Sequence, residues 1–266
     1  MLNNNEKILN LNMPAIKTPN IALITGAASK LGKILCRHFL NQDWKVILHF
    51  NQNWYETEEL IKNFKDKESC ITVLKSNFNN LISLSNDFEN ICQDFGVPNL
   101  VINNAAYFQN DNFSNLSLDN LERHLNINFK APILLTNSIV NILRTQKSLK
   151  EFNIINMLDY CISAHPKNEF ISYALSKMAM SNATKLMALS LAPQLRVNGI
   201  APGPFIKDSK QNEEKFIQSL IHNPLKVATK VEDVINTIEF LITTRCITGE
   251  IIHLDGGRNL MRTDYY

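Results

Sequence analysis

The sequence predicts an α/β protein, a single domain with helices on both faces of a doubly wound parallel sheet. Three observations predict it. Short apolar runs recur along the chain, separated by helix-period segments long enough to act as crossovers. The runs are apolar throughout rather than alternating, as strands covered on both faces require. The length, 266 residues, suits one such domain. Right-handed crossovers then give the doubly wound order, with ligands bound beyond the carboxyl ends of the strands.

The elements follow in order. Ile21–Ile24 is the first strand, and Leu31, Ile34, Leu35 and Phe39 mark a helix over Leu31–Leu40. Val46–Phe50 is the second strand, Tyr55–Phe64 a helix, and Ile71–Leu74 the third strand. Leu81–Phe95 is helical, with Leu81, Leu84, Phe88 and Cys92 on one side. Leu100–Ile102 is the fourth strand. Helices over Leu118–Ile127 and Ala131–Leu143 come next, then strand five at Phe152–Met157 and a long helix at Ile171–Leu191. Leu195–Ile200 is strand six, Val231–Thr243 a helix and Glu250–Leu254 the last strand. Residues 1–19 read as an N-terminal extension to a domain at 20–266. The polar excursion Phe205–Pro224 lies where a substrate lid would sit.

Bulk properties exclude several function classes. With 27 Lys and Arg against 25 Asp and Glu, the net charge of +2 gives no footprint for nucleic acid or an anionic membrane. No apolar run reaches the ~18 residues of a membrane span. The 5 cysteines are odd in number and lack CxxC spacing, so neither a disulfide framework nor a metal site is expected, and a reducing cytoplasm fits.

The first strand enters Thr25-Gly-Ala-Ala-Ser-Lys-Leu-Gly32 and then a helix. Small residues there let backbone approach a pyrophosphate, and the helix N-terminus offers N–H groups and partial positive charge. Thr25, Gly26, Lys30, Leu31 and Gly32 are therefore candidate cofactor contacts in a Rossmann-type fold. An NAD site usually carries an acid about 20 residues on. Here the second strand ends in His49-Phe50-Asn51, without a carboxylate. A 2′-phosphate would be attracted by Lys30, with His49 and Asn51 nearby, so the pattern favours NADPH over NADH. Asn77, after strand three, is placed to hydrogen-bond an adenine. Asn104 and Ala105, after strand four, permit close approach of the cofactor.

At the other end of the site, Asp159 follows strand five, and Tyr173-Ala-Leu-Ser-Lys177 opens a helix. Residues four apart share a helical face. A lysine ammonium there is expected to lower the phenol pKa from about 10 and yield a proton donor.

With TGAASKLG at 25–32, NNAA at 103–106, Asn128 in NINFKAP, YALSK at 173–177, RVNGIAPGP at 196–204 and ITGEIIHLDGG at 247–257, the chain resembles the short-chain dehydrogenases/reductases from about Ile21 to Leu260. The resemblance implies roles. Tyr173 donates the proton, Lys177 tunes it and holds the nicotinamide ribose, and Asn128 supports a water linked to Lys177. The backbone of Pro202 and Gly203 lies against the nicotinamide, with Pro204 toward the substrate. Lys30 stands where many members carry glycine, which resembles the NADP-using ones. Asp159 stands where most carry a catalytic serine, so ordinary ketone reduction is disfavoured.

Asp159 in IINMLDY, Phe108 after NNAAY and the ending LDGGRNL resemble the pteridine reductase branch, including dihydromonapterin and dihydrofolate reductases. That resemblance implies a pterin sandwiched between Phe108 and the nicotinamide, with Asp159 and Tyr173 acting together in protonation. Two alternatives remain: a reductase of a carbonyl substrate such as a 3-oxoacyl thioester, and a non-catalytic NADP-binding protein. The family also implies a homotetramer through the helices near Ala131–Leu143 and Ile171–Leu191. Arg258 and Met261–Tyr266 are candidates to reach a neighbouring subunit.

Overall fold

The computed structural model describes residues 20–146, 151–163, 169–204, 214, 217, 220–221 and 223–261. The expected N-terminal extension, most of the Phe205–Pro224 lid and the tail beyond Met261 lie outside the described residues.

Seven parallel strands form one sheet in the order β3-β2-β1-β4-β5-β6-β7. They are β1 (Ile21–Ile24), β2 (Lys45–Phe50), β3 (Ile71–Lys75), β4 (Leu100–Asn103), β5 (Phe152–Met157), β6 (Leu195–Pro202) and β7 (Ile251–Leu254). The helices are α1 (Lys30–Asn41), α2 (Trp54–Lys62), α3 (Leu84–Phe95), α4 (Leu118–Leu125), α5 (Ala131–Gln146), α6 (Ile171–Leu191) and α7 (Val231–Thr243). Strand order reverses between β1, paired to β2 on one side, and β4 on the other. That switch point opens a crevice at the strand carboxyl ends.

The pleat divides the core. Ala22 and Ile24 of β1 face a cluster with Leu35 and Phe39 of α1 and Val234, Ile238 and Leu241 of α7. Ile21 and Leu23 face the opposite cluster, with Phe88 of α3, Leu135 and Ile139 of α5 and Ala188 of α6. Continuous apolar strands are thus used on both faces, as the sequence pattern requires.

Several boundaries differ from the periodicity, and three of them have a local cause or a clear partner. The helix expected from Leu81 starts at Leu84, because Asn77 and Asn80 side chains accept the N–H groups of Asn79 (3.0 Å) and Ile82 (3.3 Å) and hold turns instead. Strand β6 runs on to Pro202, since Ala201 and Pro202 still pair with His253 and Leu254. The helix expected to Ile127 ends at Leu125 and passes through a π-helical turn, Asn126–Lys130, into α5. Pro132 carries no N–H, so the Asn128 carbonyl lacks the usual donor four residues on.

Candidate functional site

The loop after β1 is built by three partners. Gly26 has φ +66°, and a Cβ on it would meet Ala105 Cα at 3.0 Å. A Cβ on Gly32 would sit 2.2 Å from the Gly26 carbonyl oxygen, so α1 can pack on this turn only with glycine there. Thr25 Oγ1 accepts the N–H groups of Asn104 and Ala105, each at 2.9 Å. Asn104 Nδ2 donates to the Thr25 carbonyl (2.8 Å), the Gly26 carbonyl (3.3 Å) and Ser29 Oγ (3.2 Å). Ser29 caps α1 by accepting the Gly32 N–H at 3.1 Å. Lys30, the first residue of α1, is exposed at this helix end, and Asn51 and Asn77 are exposed just past β2 and β3. Leu31 turns its side chain into the core, so only its backbone faces the crevice side.

His49 corrects an expectation. Its Nδ1 accepts the Gly26 N–H at 3.1 Å and its Nε2 meets the Ser76 carbonyl at 3.0 Å. The ring stacks on Phe78 with centroids 3.8 Å apart. Burial pushes its pKa down to about 4, against the opposing pull of the Ser76 hydrogen bond. A neutral imidazole spent at both nitrogens braces the glycine loop and does not assist a 2′-phosphate.

The chemical end assembles the expected group. Tyr173 Oη donates to Asp159 Oδ2 at 3.0 Å, while Asp159 Oδ1 caps a short 3-10 turn by accepting the Cys161 N–H at 2.9 Å. Lys177, 4% exposed, donates to the Met157 carbonyl at 2.6 Å and lies 5.7 Å from the Tyr173 ring centroid. Phe108, 60% exposed, stacks on Phe170 (4.7 Å) and meets Tyr173 edge-on (4.6 Å, 81°). Beneath them Asn103 donates to Asn156 at 2.8 Å and Asn156 to Thr184 at 2.9 Å, joining β4, β5 and α6.

At Tyr173 the surroundings oppose the expected lowering. Burial, then the neighbouring Asp159, raises the phenol well above its ordinary value. Lys177 is itself pushed below the usual lysine value by burial, opposed by Asp159. Its ammonium, 5.7 Å from the Tyr173 ring centroid, is hydrogen-bonded to the Met157 carbonyl, and burial and Asp159 prevail at the phenol.

Asn128 also has a different first task from the expected one. Its side chain accepts the Tyr107 N–H (2.8 Å) and donates to the Tyr107 carbonyl (3.0 Å) and Ser176 Oγ (2.9 Å). It therefore holds the segment before Phe108 against α6. Pro202 and Gly203 are buried at the end of β6, where a Cβ on Gly203 would meet Asp255 Cα at 3.0 Å, and Pro204 is half-buried beside them. Arg258 lies over the Tyr160 ring of its own chain at 4.5 Å.

Sequence reasoning missed Asp111, His124 and Ser172. Asp111 accepts the Ser172 N–H at 3.0 Å, and His124 Nε2 accepts the Gln109 N–H at 3.2 Å. The only local signal was the Asn120/His124 spacing of four, which the bond from His124 Nδ1 to the Asn120 carbonyl uses.

This fold, with a Tyr/Lys pair on the helix after β5 and a glycine turn at the switch point, defines a class of nucleotide-dependent reductases. A family model described as enoyl-(acyl carrier protein) reductase matches residues 26–259, and the chain belongs to this family, the short-chain dehydrogenases/reductases. Among curated relatives, dihydromonapterin reductases of Escherichia coli and Shigella boydii are 29% identical over 238 residues, spanning 90% of this chain and 96% of theirs. Among solved structures, an alternative dihydrofolate reductase (FolM) from Brucella canis, complexed with NADP, superposes with a TM-score of 0.83 at 28% identity, covering 93% of this chain and 97% of that one. The Brucella suis counterpart, also with NADP, gives 0.81 at 28%.

Proposed function

We propose that the protein is an NADPH-dependent pteridine reductase acting on a dihydropterin such as dihydromonapterin or dihydrobiopterin, or on dihydrofolate. The Tyr173–Asp159 hydrogen bond beneath the exposed Phe108 ring carries the reading. The named relatives support it; the family model's description names one activity of a broad family, and fold membership does not choose a substrate.

The residues present fit the cofactor. The Gly26 turn leaves no room for a side chain, α1 points its N-terminus at the crevice, and Lys30 stands at that end. Thr25, Gly26, Lys30, Leu31 and Gly32 would hold the phosphates, with Asn51 and Asn77 on the adenosine side. Asn104 and Ala105 hold the loop in shape, and Pro202 and Gly203 would lie along the nicotinamide. When bound, the reduced nicotinamide supplies hydride to a ring carbon, and the adjacent ring nitrogen needs one proton.

Tyr173 is placed to give that proton. Its phenol is protonated near neutral pH, as a donor must be, although a raised pKa by itself makes it a weaker acid. Asp159 accepts from Tyr173 and orients it, and its carboxylate suits the amino-pyrimidinone edge of a pterin. Lys177 would hold the ribose. Asn128, whose carbonyl lacks its i+4 donor, would support a water linked to Lys177. Phe108 offers a ring face and Pro204 a wall for the substrate.

Exposed Leu186 and Leu189 on α6 support the expected homotetramer. No helix among the described residues is long and apolar enough to cross a membrane. The five cysteines are free thiols, which suits a reducing cytoplasm.

The deciding experiment follows NADPH oxidation with dihydromonapterin, dihydrobiopterin, dihydrofolate and an acetoacetyl thioester in parallel. Turnover of a pterin or folate is expected. Turnover of the thioester alone would establish the carbonyl reading instead.

A further inference from the structure

Helix α6 carries Tyr173 on its first turn, yet its N-cap residue, Phe170, has no side-chain acceptor for the N–H groups exposed there. Asp111 supplies one from a different part of the chain. It lies in the segment after β4, 61 residues before Ser172, and is 1% exposed. One carboxylate oxygen accepts the Ser172 N–H at 3.0 Å. The other accepts the Ser172 hydroxyl and Asn120 Nδ2, the latter at 3.0 Å. The backbone joins in: the Asp111 N–H donates to the Glu169 carbonyl at 2.9 Å, and Asp111 and Phe170 form an isolated parallel bridge. A negative charge at a helix N-terminus is stabilised by the peptide dipoles. Burial opposes ionisation of Asp111, but the bonds from Ser172 and Asn120 outweigh it and hold the carboxyl below its usual range.

The geometry joins two functional rings. Ser172 immediately precedes Tyr173, and Asp111 follows Phe108 by three residues. Along this segment alternate residues are fastened inward: Tyr107 by Asn128, Gln109 by His124 and Asp111 by α6. Phe108 lies between two of these anchors and remains exposed, in edge contact with Tyr173.

We propose that Asp111 is a positioning residue that caps the catalytic helix from outside it and so sets Phe108 and Tyr173 in register. The inference rests on the reading that these two rings flank the substrate. Independently of any substrate, the segment 107–112 and the start of α6 open together.

The test uses the full chain with Asp111→Ala, Asp111→Asn and Ser172→Ala. For Asp111→Ala, kcat with the best pterin should fall about 10²-fold, the scale of a 1 Å misplacement. KM for the pterin should rise, with NADPH affinity unchanged. Deuterium exchange should accelerate in 107–112 and 171–174 together and not in β1–α1. Asp111→Asn, which keeps an acceptor for the Ser172 N–H, should recover part of kcat. Wild-type kcat and KM in Asp111→Ala, or faster exchange in only one of the two segments, would overturn the proposal. Should Asp111→Ala fail to fold, Ser172→Ala decides: wild-type kinetics and exchange there would also overturn it. If wild-type protein reduces no pterin, the functional reading fails, while the exchange measurement still decides the link.

Discussion

His49 and His124 stand at opposite ends of the site and perform one task in different company. Each ring accepts a backbone N–H at one nitrogen and meets a carbonyl at the other: Gly26 and Ser76 for His49, Gln109 and Asn120 for His124. The bonding partners assign opposite neutral tautomers, Nε2–H for His49 and Nδ1–H for His124. Both are buried, and burial lowers both pKa values. The surroundings differ. His49 is stacked on Phe78, insulated from carboxylates, and falls to about 4. His124 lies against Tyr107 and 6.2 Å from Tyr173, and Asp111 opposes the shift. One brace fixes the Gly26 turn; the other belongs to a network that ends on α6 at Ser172. The cofactor end and the chemical end should therefore fail separately.

The largest separation is expected from Tyr173→Phe. Losing the proton donor should cost about 10²–10⁴ in kcat, while NADPH binding, measured by fluorescence, stays unchanged. Wild-type turnover in this variant would remove Tyr173 from the chemistry.

Replacing the braces sharpens the contrast. His49→Ala and His124→Ala each strand a buried N–H and a carbonyl, at about 1–3 kcal/mol per group. Both should lower the urea midpoint. His49→Ala should weaken NADPH binding and leave the pterin KM alone, and His124→Ala should do the reverse. Equal effects on both ligands would erase the distinction.

The pH dependence follows from His49. Its folded pKa lies below the ordinary 6.5, so the folded state binds fewer protons than the unfolded one. The stabilisation is complete above the unfolded value and is lost as pH falls toward about 4. Between pH 7 and pH 5 this single group should remove about 2 kcal/mol of unfolding free energy. Urea titrations at the two pH values should show a smaller loss in His49→Ala than in wild type. An identical loss would assign the acid sensitivity elsewhere.

The smallest effect concerns Lys30. Lys30→Ala should weaken NADPH by about tenfold, roughly 1.4 kcal/mol, and NADH far less. Equal weakening of both would deny Lys30 the 2′-phosphate.

Much of the fold was legible because its signals are local. Phe152–Met157, Ile171–Leu191 and Val231–Thr243 coincide with their expected bounds, since each is an uninterrupted apolar run or helical period. Where side chains compete for the backbone, as at Asn77 and Asn80, or proline removes a donor, as at Pro132, periodicity overran the boundary. The site was legible in part for the same reason. Tyr173 and Lys177 are four apart on one helix, and the Gly26 turn follows the first strand directly.

By itself the sequence determined the parallel sheet, the glycine turn, the Tyr173/Lys177 pair and the carboxylate Asp159 beside it, all carried by periodicity or by neighbours within a few residues. Only the tertiary structure decided how those groups behave. It buried Tyr173 beside Asp159 and raised its pKa, turned Lys177 to the Met157 carbonyl, made His49 a neutral brace, and brought Asp111 to the N-terminus of α6. Desolvation and hydrogen-bond partners distant in sequence set these properties, and neither leaves a local pattern in the chain.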